Sequence, residues 1–244
     1  MESAAPLLPE TMTSEITPKV LFPSPLWLLD HPASHALNPR LRAQVITAME
    51  ADAAAGRFLP SRSNRGGWRG TSFDLESDPL WDHLATFVRG VIRSVLSSEH
   101  RWLIYSNGPN IHFKGGYNVS HIHSGAVLSG VYYIACPPGS GSLIFEDPRV
   151  QAEFADSYQL FCQDLGGPRV ELTPHEGLLV LFPSWLPHRV EPSESDEPRI
   201  SLPLNIVLAD GWPSPAAEGG PASPSREPPS RSRSLPGGRG FAGL

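Results

Sequence analysis

The spacing of apolar residues changes near residue 101, and this change constrains the fold more than any other feature of the sequence. Before it, apolar residues recur at helical spacing, and after it they alternate with a period of two. β-rich runs separated by Gly, Pro and Asn clusters lie at 101–106, 110–113, 126–135, 142–146, 157–162, 169–173, 177–182, 187–190 and 199–208. Short strands at this spacing, without helices between them, predict a sandwich, a barrel or a jelly roll.

Two helices are predicted before the strands, and we expect them to pack on the outside of one sheet. Asn38-Pro39 provides an N-cap followed by proline at the first helical position, and Gly56 is a suitable stop, so the first helix is predicted at 38–56. Asp78-Pro79 begins the second helix, predicted at 78–97, whose wide apolar stripe indicates packing against a core.

Both ends of the chain differ in composition from its centre. Residues 1–18 are rich in Pro, Ser, Thr and Glu without periodicity, and we expect a disordered lead-in. In residues 211–244, Gly, Pro, Ser and Arg supply 24 of the 34 positions. Such a segment cannot bury enough apolar surface to offset its ordering entropy, so we predict a disordered tail. One domain is therefore expected at 19–210.

Charge and cysteine content exclude several classes of protein. The net charge of −6 argues against a nucleic-acid binder, which would normally carry a basic patch. Cys136 and Cys162 are too few for a disulfide framework and form no CxxC motif. The N-terminal residues lack the basic and apolar regions of a signal peptide, and no apolar run approaches the roughly 20 residues of a membrane-spanning helix. We expect a cytoplasmic protein without nucleic-acid or membrane partners.

Three histidines and one arginine form a pattern with chemical meaning. Residues i and i+2 of a strand share a face, so His121 and His123 can converge on one metal ion. His188 is the candidate third ligand, and Arg199 begins an apolar strand eleven residues further on. Arginine grips a carboxylate through two parallel hydrogen bonds, and Ser201 shares its strand face. An alternative keeps His121 and His188 and replaces His123 by a carboxylate of Glu146 or Asp147, or by water.

These motifs, taken together, resemble a family of bacterial and phage 2OG-Fe(II) oxygenases. The resemblance covers roughly residues 20–208 and rests on the start Leu21–Trp27, the run Trp102–Ile134, and the motifs Phe145–Arg149, Leu181–His188 and Arg199–Ser201. It implies a mainly β fold, a double-stranded β-helix of jelly-roll or cupin type with N-terminal helices. It also implies iron(II), the cosubstrate 2-oxoglutarate, and O₂. By the same resemblance, Tyr133 donates to the distal carboxylate of 2-oxoglutarate beside Arg199.

The expected activity is that of a 2-oxoglutarate-dependent dioxygenase. It would hydroxylate a C–H bond of a small molecule, amino acid or peptide and release succinate and CO₂. Two alternatives stay open: a three-histidine cupin-type dioxygenase that does not use 2-oxoglutarate, and a metal-binding jelly roll without catalysis. The sequence does not predict the substrate or the oligomeric state.

Three smaller features near the site also lead to expectations. Asp147-Pro148-Arg149 favours a turn with an ion pair over a site for an acidic substrate. Trp185 is expected in the core. Pro203 is expected to kink the strand that begins at Arg199.

Overall fold

A computed structural model describes residues 22–57, 63–71, 75, 78–96, 101–149 and 168–209. Its ten strands are β1 Trp27–Asp30, β2 Asn64–Arg69, β3 Trp102–Tyr105, β4 Asn110–His121, β5 Leu128–Ala135, β6 Leu143–Glu146, β7 Arg169–Leu172, β8 Leu178–Pro183, β9 His188–Val190 and β10 Arg199–Leu208. The two helices are α1 Ser34–Ala54 and α2 Pro79–Val95.

The chain divides into two units, Met1–Asp210 and Gly211–Leu244. The second unit lies outside the described residues, as do the lead-in expected at 1–18 and the strand expected at 157–162. The predictions for these three segments therefore stay predictions.

The strands pair antiparallel in an order far from their order in the chain. Hydrogen bonds connect them as β1-β8-β5-β10-β4-β9-β6-β7, with β2 beside β4 and β3 beside β10. Strands distant in sequence thus become neighbours, and the sheet curls into the double-stranded β-helix that the resemblance implies.

Alternation along each strand separates two apolar clusters. On β5, Tyr132 and Ile134 belong to the cluster that packs beneath the helices, whereas Tyr133 belongs to a second cluster inside the β-helix. On β8, Leu181 faces the helices and Phe182 faces the interior. The helices therefore cover the outer face of one sheet, and the inner faces are left to form a site.

Helix α2 follows the sequence prediction closely. The Asp78 carboxylate accepts a hydrogen bond from the Leu80 amide at 2.7 Å, with Pro79 at the first turn. Its apolar stripe, including Leu84, Val88 and Ile92, is buried in the outer cluster.

Helix α1 begins four residues earlier than predicted, because Asn38 has a tertiary role instead of a capping one. The side chain of Asn38 is buried, accepts a hydrogen bond from the Tyr132 hydroxyl at 2.7 Å and donates one to the Tyr133 carbonyl at 3.2 Å. Pro39 consequently lies within the helix, which ends at Ala54.

Two strands escaped the sequence prediction. β1 pairs with β8 and β2 pairs with β4, so both are additions to the predicted set. β10 runs through Pro203 without interruption, and its register shift lies between Ile200 and Ser201, so the expected kink after Ser201 is wrong. One edge of β10 pairs with β4 as far as Ser201 and with β3 from Asn205 onward. Pro203 lies between these two stretches, where a strand tolerates proline.

Candidate metal centre

His121, His123 and His188 converge at one end of the β-helix. His121 ends β4 and lies directly opposite His188, the first residue of β9. His123 follows two residues after His121, and its backbone N–H donates to the Ser184 carbonyl at 2.9 Å, which holds it beside the turn before His188. One ring nitrogen from each histidine lies within 4.8 Å of the others. Among residues in the described ranges, no carboxylate or thiol joins this group.

Two backbone hydrogen bonds fix the tautomers of two histidines. The Nδ1 of His121 lies 2.8 Å from the Val119 carbonyl, and the Nδ1 of His188 lies 3.0 Å from the Leu186 carbonyl. A carbonyl oxygen only accepts, so each Nδ1 carries the proton and donates. The Nε2 lone pairs are left free, which is the state a metal ligand needs.

Burial keeps these imidazoles neutral. It lowers the pKa of His188 to about 3, with neighbouring His121 as the next cause. Burial, followed by His121, lowers the pKa of His123 to about 4, and burial also lowers the pKa of His121. Neutral imidazole is the ligand form, so the three side chains are prepared for a cation at neutral pH.

Glu146, the alternative carboxylate ligand, lies on the opposite face of its strand. It follows Phe145, which is in the interior cluster and pairs in register with His188. The Glu146 carboxylate accepts hydrogen bonds from the Ser120 hydroxyl at 2.5 Å and from Arg189 Nε at 3.2 Å. Ser120 and Arg189 are each the chain neighbour of a clustered histidine, so alternation places all three side chains away from the cluster.

Asp147, the other alternative, is held by Arg149. The carboxylate of Asp147 accepts from the Arg149 backbone N–H at 2.9 Å and from its guanidinium at 2.6 and 2.9 Å. The predicted turn with an ion pair is confirmed.

Arg199 is buried inside the β-helix, and no residue in the described ranges is its counter-ion. It is 1% exposed, and its Nε and Nη1 make no hydrogen bond to any residue in the described part of the chain. Its guanidinium carbon lies 5.0 Å from the centre of the Tyr133 ring. The Tyr133 hydroxyl is likewise buried without a partner there, and Ser201 is 4% exposed and in register with Tyr133. The predicted residues Tyr133, Arg199 and Ser201 therefore lie together.

One cavity joins the histidines to Arg199. Its described lining contains the three clustered histidines, Tyr133, Arg199 and Ser201, together with Ser63, Arg69, Asn107, Asn110, His112, Asn118, Gly130, Val131, Leu143, Phe182, Val190 and Pro203. A buried charge without a partner costs several kcal/mol, so the cavity is incomplete without an anion against Arg199. The three neutral nitrogens at one end of the cavity match a divalent metal ion. The guanidinium and phenol at the other end match a carboxylate of a metal-bound ligand.

Sequence reasoning missed several lining residues. His112 is 1% exposed, both of its ring nitrogens are without hydrogen-bond partners among the described residues, and it lies opposite Arg199 in register. Burial, followed by the charge of Arg199, lowers its pKa to about 3. Arg69 lies on the unpredicted strand β2. Alternation along 110–113 would have placed Asn110 and His112 on one face.

Trp185 is 50% exposed, so its expected place in the core is wrong.

The cavity lies inside a double-stranded β-helix and combines a possible metal site with a buried arginine. Residues 108–205 match the model of the family described as "Putative 2OG-Fe(II) oxygenase". This segment contains all six of the predicted site residues. Over this segment the chain is similar to that family. No curated protein sequence matches it.

Solved structures share the fold at low sequence identity. A prolyl-4-hydroxylase from Pseudomonas putida is 19% identical with a TM-score of 0.51, over 75% of this chain and 92% of that one. A prolyl hydroxylase from Trichoplax adhaerens, in complex with a hypoxia inducible factor peptide fragment, is 14% identical with a TM-score of 0.53, over 76% and 84%. HygX from Streptomyces hygroscopicus, with nickel, 2-oxoglutarate and hygromycin B bound, is 10% identical with a TM-score of 0.52, over 76% and 84%.

Neither helix in the described ranges is long and apolar enough to span a bilayer.

Proposed function

We propose that this protein is an iron(II)- and 2-oxoglutarate-dependent dioxygenase that hydroxylates a C–H bond of a small molecule, amino acid or peptide. In this reaction 2-oxoglutarate and O₂ are consumed and succinate and CO₂ are released. The observation that carries the proposal is the pairing, in one cavity, of a three-histidine cluster with a buried arginine that has no counter-ion in the described chain.

The histidines His121, His123 and His188 would hold the metal through three neutral nitrogens. The backbone carbonyls behind two of these rings orient them before any metal binds, so little ordering is needed. Bound iron(II) would activate O₂, the oxidant, with 2-oxoglutarate and the substrate each giving up two electrons, and the protein would supply position and exclusion of water.

Arg199, Tyr133 and Ser201 would bind the distal carboxylate of 2-oxoglutarate. The guanidinium offers the unpartnered Nε and Nη1, and the Tyr133 hydroxyl offers a third donor. Burial, opposed by the charge of Arg199, raises the pKa of Tyr133, so this hydroxyl keeps its proton and donates it.

The same residues favour this activity over the two alternatives. A three-histidine dioxygenase that does not use 2-oxoglutarate has no need of a buried arginine behind its metal. A metal-binding jelly roll without catalysis has no need of it either. Both alternatives leave the desolvation cost of Arg199 without compensation.

An anaerobic titration of the iron(II) protein with 2-oxoglutarate tests the proposal. A weak visible charge-transfer band that saturates at one 2-oxoglutarate per chain is expected, followed by succinate formation when O₂ is admitted. Iron binding with neither a band nor succinate would favour the other two functions.

A further inference from the structure

Arg69 is the second arginine among the described residues of the cavity, and the proposed metal and cosubstrate sites do not use it. We propose that Arg69, with the amide groups of Asn107 and Asn110, binds an oxyanion of the substrate, so that the substrate is an acidic molecule carrying a carboxylate or a phosphate. This inference rests on the proposed function, because it assigns the substrate class of the same site.

The backbone directs Arg69 into the cavity. Its chain neighbour Trp68 is 8% exposed and packs in the cluster beneath the helices, so alternation turns Arg69 to the inner face. Arg69 is in register with Asn110, which is in register with Ser201 on the next strand. Arg69 therefore lies at the end of a polar row that runs across three strands to the cosubstrate-binding residues.

The two consecutive glycines of β2 determine where Arg69 lies. β2 and β4 shift register between Arg65 and Gly67. A Cβ at Gly67 would lie 2.3 Å from the Ile111 carbonyl oxygen, so only glycine allows the two strands to approach this closely. The close approach of β2 to β4 brings Arg69 to the edge of the cavity.

The guanidinium of Arg69 has no protein partner where the chain is described. Its Nε is buried without a hydrogen bond, and no ion pair involves it. No aspartate or glutamate lies among the described residues that line the cavity. The protein as a whole is acidic, with a net charge of −6, so the absence of carboxylates from this lining indicates selection for an anion.

The two asparagines are set to donate. The Asn107 carbonyl oxygen accepts from the Tyr105 hydroxyl at 2.8 Å, and the Asn110 carbonyl oxygen accepts from the Asn64 amide at 3.4 Å. Asn107 and Asn110 both line the cavity that Arg69 lines. A guanidinium with two amide donors matches the oxygens of a carboxylate or a phosphate.

The net charge of the site with metal and cosubstrate bound also favours an anionic substrate. In the usual face of two histidines and one carboxylate, the metal, its carboxylate, the cosubstrate and one arginine sum to no net charge. Here a third histidine replaces the carboxylate, which leaves one positive charge, and Arg69 adds another. A neutral substrate would leave the positive charge of the metal centre, and the half-buried guanidinium of Arg69, without compensation.

Matched pairs of small probes test the proposal on the zinc(II) protein with 2-oxoglutarate bound. N-acetylglycine is compared with N-acetylglycinamide, and methyl phosphate with methanol, using ligand-observed NMR to measure binding without turnover. We expect each anion to bind at least about tenfold more tightly than its neutral partner, and the tighter of the two anions assigns carboxylate or phosphate. Equal binding of the charged and neutral probes overturns the proposal.

Variants locate the effect. Arg69→Gln should weaken the preferred anion roughly 10- to 150-fold, Arg69→Lys should keep part of the binding, and the exposed Arg93→Gln is the matched control without effect. Asn107→Asp leaves Arg69 and the acceptor for Tyr105 in place, yet should abolish the preference for anions. Asn107→Asp therefore tests the proposal even if Arg69→Gln does not fold.

The cosubstrate provides the last discrimination. Arg69→Gln should leave the dissociation constant of 2-oxoglutarate unchanged. If that constant rises by the same factor as that of the probe anion, Arg69 belongs to the cosubstrate site and the proposal is wrong. A wild-type protein that binds metal but not 2-oxoglutarate would instead remove the proposed function itself, and this proposal with it.

Discussion

Substitution of Arg199 by alanine removes the charged end of the proposed cosubstrate pocket. Arg199 is 1% exposed and two of its nitrogens lack partners in the described structure, so its interaction with a carboxylate would be fully desolvated. A hydrogen bond to a charged group is worth about 1.5–3 kcal/mol, which corresponds to roughly a 10- to 150-fold change in a dissociation constant. We expect Arg199→Ala to raise the 2-oxoglutarate dissociation constant by this factor.

The assay is the anaerobic titration of the iron(II) protein with 2-oxoglutarate, followed at the charge-transfer band. Arg199→Lys should fall between the wild type and alanine, because lysine keeps the charge but loses the bidentate geometry. Arg93→Ala, an exposed helical arginine, is the matched control. Iron content should stay near one per chain in all three variants.

The metal-free protein gives a second, independent readout. Arg199 is a buried charge whose Nε and Nη1 have no partner among the described residues. Arg199→Met, of similar length, should therefore not lower the melting temperature of the ligand-free protein and is expected to raise it. An unchanged 2-oxoglutarate dissociation constant in Arg199→Ala would refute the assignment, and with it much of the argument for this cosubstrate.

Three further predictions concern folding. Truncation after Asp210 should preserve the melting temperature and 2-oxoglutarate turnover, as expected if residues 211–244 are a dispensable tail; loss of either would show that the tail packs or closes the site. Asn38→Ala should lower the free energy of unfolding by about 1–3 kcal/mol in chemical denaturation, because it leaves the buried Tyr132 hydroxyl unpaired. A change near zero would contradict the tertiary role of Asn38. His112, with its pKa lowered to about 3 by burial, stays neutral in the folded protein but binds a proton below about pH 6.5 when unfolded, so the metal-free protein should lose stability from pH 6.5 downward. His112→Gln should reduce that loss by about 1.4 kcal/mol per pH unit. Parallel curves of unfolding free energy against pH for the two proteins would refute this prediction.

The fold was largely predictable where local signals and tertiary structure agree. The cap and apolar stripe of α2 and most strand positions after residue 101 are encoded by short-range patterns. β1 and β2 were missed because neither alternates clearly: β2 is Asn-Arg-Gly-Gly-Trp-Arg, whose glycines argue against a strand until β4 lies beside it. α1 was misplaced because a tertiary hydrogen bond to Tyr132 used the asparagine that resembles a cap.

The site was partly predictable for the same reason. His121 and His123 could be paired from the two-residue period, and the structure brings His188 and Arg199 to them through long-range register that the spacing alone does not specify. Alternation puts His112 on one strand face with Asn110, but the place of His112 and of Arg69 in the cavity depends on which strands become neighbours. The role of Glu146 was left open by the sequence, and strand alternation decides which way its side chain points.

Iron stoichiometry in two matched variants tests the central assignment most directly. His123 contributes a nitrogen to the cluster, whereas Glu146 is bonded to Ser120 and Arg189 on the other face of the sheet. The measurement is iron per chain after anaerobic reconstitution and desalting, with 2-oxoglutarate decarboxylation as a second readout. We expect His123→Ala to lose tightly bound iron, His123→Asp to regain it through a carboxylate, and Glu146→Ala to keep one iron per chain. Full iron and decarboxylation in His123→Ala, with loss of both in Glu146→Ala, would contradict the three-histidine centre.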